Sequence, residues 1–112
     1  VRKLEKAARV ANESVGPGQG PVHGTRVHSA FKAEIDAMEN PYLRTEVSYF
    51  GGEPSEYGRL GSIRVDVVQG TKTAPARVFD LKTGGSTLGP TRIQQIKAHL
   101  PNGVDVPVIE IR

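Results

Sequence analysis

The 112-residue chain has no cysteine and no tryptophan, a single methionine, three phenylalanines and three tyrosines. Without cysteine there is no disulfide scaffold, no thiolate zinc centre and no thiol nucleophile. No apolar run approaches the ~18 residues of a membrane-spanning helix, and the sequence does not open with the basic and apolar segments of a secretory leader. A chain without a membrane span is therefore expected. Counting glycine, about half of the residues are apolar, the usual share for a globular domain, so wholesale disorder is excluded as well. A chain of this length buries roughly two-thirds of its unfolded surface around one core and needs no staple. A single monomeric unit is the expectation.

Acidic residues are also scarce, but only locally. The net charge is a modest +3, too small by itself to name a partner. Residues 57–101, however, carry Arg59, Arg64, Lys72, Arg77, Lys82, Arg92 and Lys97 against only Asp66 and Asp80. Both acids sit inside apolar, strand-like runs. Two readings are open for them: structural ion pairs with neighbouring cations, or carboxylates that hold a metal.

Leu4, Ala8, Ala11 and Val15 recur at helical spacing, which predicts a helix over residues 1–15. The run Gly16-Pro17-Gly18-Gln19-Gly20-Pro21 breaks it and reads as a linker. Residues 1–23 are thus expected to form a detachable helix and linker, and 24–112 the folded domain. Val27, Ala30, Phe31, Ile35 and Met38 predict a helix over 26–39, stopped by Asn40-Pro41. On its wheel Glu34 lies about 20° from Val27, within the apolar stripe, and Asp36 near 180°, on the far side. Strands are predicted over 44–50, 61–69 and 76–82, joined by Gly51-Gly52 and a loop, then by a Gly70–Pro75 turn. A helix opens at Pro90-Thr91, with Thr91 and Gln94 at capping-box spacing, and Pro101-Asn102-Gly103 closes it. A last strand over 105–111 carries Pro107, which places it near an edge.

Residues two apart in a strand share a face, so Asp80 and Lys82 point the same way. If 61–69 and 76–82 pair as antiparallel neighbours, Asp66 lies near Asp80. Two adjacent carboxylates repel unless one protonates or a cation sits between them. Such an oxygen-rich site suits Mg²⁺, with Mn²⁺ or Zn²⁺ as further candidates. Lys82 can then orient an attacking water and stabilise charge on a phosphate. Arg64 shares a face with Asp66 and, with Thr83, Arg92 and His99, is a candidate substrate contact. The loop Gly84-Gly85-Ser86 reads as a turn or as a backbone approach to phosphate. None of His23, His28 and His99 forms an i, i+4 ligand pair, and each is expected to be structural or solvated.

Asp66 on one strand, Asp80-Leu81-Lys82 on the next, Glu34 on the first helix and the αβββαβ order resemble the PD-(D/E)XK restriction-endonuclease-like superfamily. The passage from Asp80 to Gly84, the Pro-Thr-Arg-Ile-Gln-Gln-Ile helix and the closing Asp-Val-Pro-Val-Ile-Glu-Ile strand resemble nuclease toxin domains of bacterial polymorphic toxins, of the rearrangement-hotspot or contact-dependent-inhibition type. The resemblance covers about residues 24–112. It implies an α+β fold with a mixed central sheet flanked by helices. It implies that Asp66 and Asp80 bind metal, that Lys82 assists water activation, and that Glu34 orients a water or a second metal; Gln95 matches a glutamine that some relatives place at the site. Val65 stands where the family's name has proline. The implied activity is phosphodiester hydrolysis, with DNA as substrate ahead of transfer RNA. The implied setting is a domain delivered by a larger toxin protein into the cytoplasm of a target cell, with a cognate immunity protein as partner. The competing expectation is a non-catalytic nucleic-acid-binding module whose two aspartates are salt-bridged.

Overall fold

A computed structural model describes residues 2–112. Helices α1 (Arg2–Val15) and α2 (Gly20–Ala37) precede strands β1 (Leu43–Phe50), β2 (Glu53–Ser55), β3 (Ile63–Gly70) and β4 (Pro75–Leu81). Helix α3 (Pro90–His99), a single 3-10 turn (Gly103–Asp105) and strand β5 (Val108–Ile111) follow. The sheet runs β2-β1-β3-β4-β5, antiparallel except for the parallel β4–β5 pair. Parallel neighbours need a crossover, and α3 supplies it. The class is α+β, with an open mixed sheet flanked by helices. Among the described residues, no helix is long and apolar enough to cross a membrane.

Two cores lie on the two faces of the sheet. Phe79 and Leu81 of β4 join Val67 and Ile111 against Val27, Phe31 and Ile35 of α2 and Leu4, Ala7, Ala8 and Ala11 of α1. Val78, one residue before Phe79, faces the other way and packs with Val68, Tyr49, Ile96, Leu100 and Val106. That alternation is the period of two that a strand buried on both faces requires.

The expected division at residue 24 does not hold. Helix α1 presents Leu4, Ala7, Ala8 and Ala11 at i, i+3, i+4 and i+7, all buried in the same core as α2 and the sheet. It is an integral layer of the fold. Its small side chains allow close approach to α2. The Gly/Pro run is a tight helix-to-helix connection: Gly16, at φ +82°, ends α1 in the left-handed conformation that favours glycine, and its N–H donates to Asn12 O at 2.9 Å. Pro21 then sits in the first turn of α2, where a missing N–H costs nothing. So α2 begins six residues earlier than its apolar spacing predicts.

Other boundaries shift for local reasons. Gly51 and Gly52, both at positive φ, make the two-residue turn of a hairpin that continues into β2, within the stretch expected to be loop. Gly89 rather than Thr91 caps α3, with Pro90 in the first turn, so no Thr91–Gln94 capping box forms. The last strand starts only at Val108, because the 3-10 turn precedes it. That turn packs tightly: a Cβ on Gly103 would lie 1.9 Å from Lys97 O, so only glycine fits.

Candidate functional site

The ladder between β3 and β4 pairs Val67 with Phe79 and Val68 with Val78. One step further, the same register sets Asp66 opposite Asp80. Asp66 Oδ2 accepts a hydrogen bond from the Leu81 N–H at 2.7 Å, so the carboxylate ties down the last residue of β4. Beyond the end of that strand, Lys82 returns its ammonium to within 2.9 Å of Asp80 Oδ2. The convergence of Asp66, Asp80 and Lys82 expected from strand periodicity is present.

Strand β3 rolls over at Asp66. Val65 and Val67, two residues apart and both fully buried, belong to opposite cores. Across the ladder, Val65 pairs with Val47 and Val67 with Thr45. Glu46, between them, adopts φ +50°, which costs a non-glycine residue about 1–2 kcal/mol. The distortion leaves Asp66 lining two clefts at once, the larger also lined by Asp80 and Lys82 and the smaller by Glu46 and Thr25.

The larger cleft, about 410 Å³, is walled by Arg64, Arg92, Lys82, Thr83, Ser86 and His28 around the two aspartates. Arg92 reaches across from α3, donating to Arg64 O at 3.4 Å and to Gln95 Oε1 at 3.0 Å. Among the described residues neither Arg64 nor Arg92 has a carboxylate partner. Arg112 braces the loop after Lys82 by donating to Gly84 O at 3.1 Å and to Ser86 O, while its Nε holds Glu110 at 2.8 Å.

Three expected site residues lie elsewhere. Glu34 lines a separate groove with Lys3, Lys6, Val10 and Met38, where α2 meets α1. It is on the apolar stripe as its wheel position predicts, but on the shoulder turned to α1. Gln95 is exposed and serves as the acceptor for Arg92. His99 Nδ1 accepts the Gly51 N–H at 3.0 Å, and its ring lies 5.6 Å from that of Phe50; it fastens the β1–β2 turn to α3.

The residue of α2 that does reach the site is His28, on the stripe's other shoulder. Its Nδ1 lies 2.9 Å from Gly24 O and its Nε2 2.9 Å from Leu81 O, with Asp66 Oδ2 at 3.5 Å. Carbonyl oxygens only accept, so both ring nitrogens must donate, and only the imidazolium does that. The neighbouring Asp66 carboxylate foremost, with the two carbonyls assisting against the cost of burial, raises the His28 pKa to about 9. The signal for His28 in the sequence was weak because it depends on where α2 starts.

The two aspartates are shifted in opposite directions. Burial pushes Asp66 upward, but His28, the Leu81 amide and Asp80 outweigh it and hold its carboxyl below the usual range. For Asp80 burial dominates, and with the Asp66 charge it outweighs Lys82, so its carboxyl is raised. Asp80 is only 6% exposed. Its Oδ2 is buried with no hydrogen-bond donor; the Lys82 ammonium touches it without a hydrogen bond's alignment.

A buried carboxylate oxygen lacking a donor beside a second carboxylate fits a hard cation. Asp66 and Asp80 are the carboxylate donors at hand, the Leu81 carbonyl being taken by His28. Among the described residues no three His, Cys, Asp or Glu side chains converge. This donor set suits an ion such as Mg²⁺, which takes one or two carboxylates and keeps several waters. His28, with both nitrogens donating, is no ligand here.

No protein-family model, no curated protein and no solved structure matches this chain.

Proposed function

We propose that this protein is a metal-dependent nuclease that hydrolyses phosphodiester bonds, with DNA as substrate. The observation that carries the reading is the buried Asp80 carboxylate set opposite Asp66, with the Lys82 ammonium against its Oδ2, inside a cleft rimmed by two guanidiniums that have no carboxylate partner among the described residues. Lys82 pairs with that oxygen without offsetting its burial, and a plain phosphate-binding surface has no use for two opposed carboxylates.

Asp66 and Asp80 would hold the divalent ion, which when bound lowers the pKa of a water and draws charge from a phosphoryl oxygen. Arg64 and Arg92 bind the substrate phosphate and neutralise it. Lys82 Nζ, resting on Asp80, orients the attacking water and stabilises the negative charge that builds on phosphorus-bound oxygens. The water oxygen bonds to phosphorus as the ester P–O bond breaks; the attacking water gives up a proton to solvent, and the leaving alkoxide takes one up from solvent. His28 is a positioning residue: it fixes Asp66 and the end of β4 in place. The resemblance to polymorphic-toxin nuclease domains supports delivery by a larger bacterial protein and a cognate immunity protein, for which the Arg64–Arg92 rim offers a surface complementary to acidic side chains.

Incubating the purified protein with plasmid DNA, with the same DNA heat-denatured to single strands and with total transfer RNA, each with Mg²⁺, Mn²⁺, Zn²⁺ or EDTA, tests the reading. Metal-dependent cleavage of DNA that Asp80→Ala abolishes is the expected result. Absence of cleavage of either nucleic acid with every ion refutes hydrolysis, and cleavage confined to transfer RNA reassigns the substrate.

A further inference from the structure

The loop between β2 and β3 carries an aromatic side chain that the cleft chemistry above leaves without a task. Tyr57 is 76% exposed, and the Arg64 guanidinium lies over its ring at 4.9 Å from the centroid. A ring this exposed with a cation on one face still offers its other face. Arg64 also walls the cleft two residues before Asp66, roughly 7 Å away along β3. One guanidinium thus joins the open ring to the phosphate site.

The loop is preformed. The Arg59 guanidinium sits 4.0 Å from the Phe50 ring centroid, and Arg59 O accepts from Ser62 N at 3.0 Å and from Ser62 Oγ at 2.6 Å. Gly58 and Gly61, both at φ +81°, make the bends. An aromatic side chain held outward on such a scaffold loses little freedom when it is covered. Glu56, next to Tyr57, disfavours a phosphate on the loop itself. What remains for the ring is stacking, with the phosphates left to Arg64 and Arg92.

We propose that Tyr57, backed by Arg64, is a stacking platform for one nucleobase beside the scissile phosphate, so that the substrate strand is single-stranded or locally unpaired. The proposal rests on the nuclease reading for its substrate class. A base paired within a duplex has both faces occupied by its neighbours and cannot lie on Tyr57, whereas an unpaired base can, whatever its identity.

The experiment measures binding in EDTA, where cleavage cannot intervene. Fluorescence anisotropy is recorded with labelled single-stranded DNA of about 12 nucleotides, within the span such sites cover, and with the duplex of the same sequence. Wild-type protein is expected to prefer the single strand. Tyr57→Ala is expected to weaken single-strand binding about 5- to 100-fold and to leave duplex binding within about twofold, and Tyr57→Phe restores the affinity. A 2-aminopurine at the flanking position is quenched by wild type and by Tyr57→Phe, and not by Tyr57→Ala. Circular dichroism confirms that the variants are folded, as an exposed loop substitution permits. Unchanged single-strand affinity in Tyr57→Ala overturns the proposal, and so does wild-type preference for the duplex. Cleavage by wild type with metal is read separately: cleavage with an inert Tyr57 defeats the stacking platform alone, and the predicted binding without cleavage defeats hydrolysis alone.

Discussion

His28 Nε2 lies 2.9 Å from the Leu81 carbonyl and 3.5 Å from Asp66 Oδ2, while the Leu81 N–H donates to that same carboxylate oxygen. Helix α2, the last residue of β4 and the acid on β3 are thereby fastened at one point. The cleft takes its shape from this knot, and most of what can be tested follows from it.

The stabilisation from His28 depends on pH with a definite sign. Its pKa is 6.5 in the unfolded chain and about 9 when folded. Folding therefore favours the protonated ring, and the contribution is present in full below pH 6.5 and is lost as pH rises through about 9. His28→Ala is expected to lower urea-unfolding stability at pH 6 and to match wild type near pH 9.5. A mutational difference that is the same at both pH values refutes the imidazolium assignment.

Asp66 behaves in the opposite sense. Its folded pKa is depressed, so its contribution is present above about pH 3.8, the unfolded value, and disappears as pH falls through the folded value. Asp66→Asn is expected to lose stability at pH 6 relative to wild type, and the gap should close in acid. Unfolding curves taken between pH 2 and pH 6 provide the check.

Asp80 is held in place at a cost to stability. Burial disfavours the charged carboxyl more than the Lys82 ammonium favours it, and that imbalance is costly. Asp80→Asn is expected to raise the unfolding free energy by about 1 kcal/mol or more while removing nuclease activity by at least ~100-fold. Loss of stability together with retained cleavage would sink the role given to this residue.

Divalent ions offer a readout independent of turnover. An ion that binds the folded site stabilises the protein by mass action, so the thermal midpoint should rise with Mn²⁺ or Mg²⁺ concentration. The rise should vanish in Asp66→Asn and in Asp80→Asn, and Glu34→Gln should retain it, since Glu34 lies in the groove against α1.

Helix α1 belongs to the core. Leu4→Ala is expected to cost about 2–5 kcal/mol, and a chain starting at residue 24 should fail to unfold cooperatively. A sharp transition in that shorter chain, seen by near-UV circular dichroism and by calorimetry, contradicts the role given to α1.

The parts of this molecule that could be read in advance are those governed by short-range periodicity. Asp66, Asp80 and Lys82 were legible because a period of two and a four-residue turn determine which side chains meet. Glu34 and His28 show the limit. They flank the same apolar stripe about 120° apart, and only the docking of α1 decides that one shoulder faces a helix and the other the cleft. Helix α1 is legible as a helix, but its docking is not, because Gly16–Gln19 carries the signals of a flexible linker as well as those of a sharp corner. Three buried alanines make a less conspicuous stripe than a row of leucines, although they pack as closely. The roll of β3 at Asp66 had no sequence signal, since Glu46 is an unusual residue at positive φ.

The shared core of α1 and β5 also bears on the order in which the molecule assembles. Leu4 and Ile111 lie in one cluster, near opposite ends of the sequence, whereas the β3–β4 hairpin that bears both aspartates closes over a short turn. Contacts between distant segments require a large loop to close and form late, and local hairpins form early. The acidic pair is therefore expected to meet before the layer of helix that covers the opposite face is in place, and the slow step of folding is the sealing of that layer.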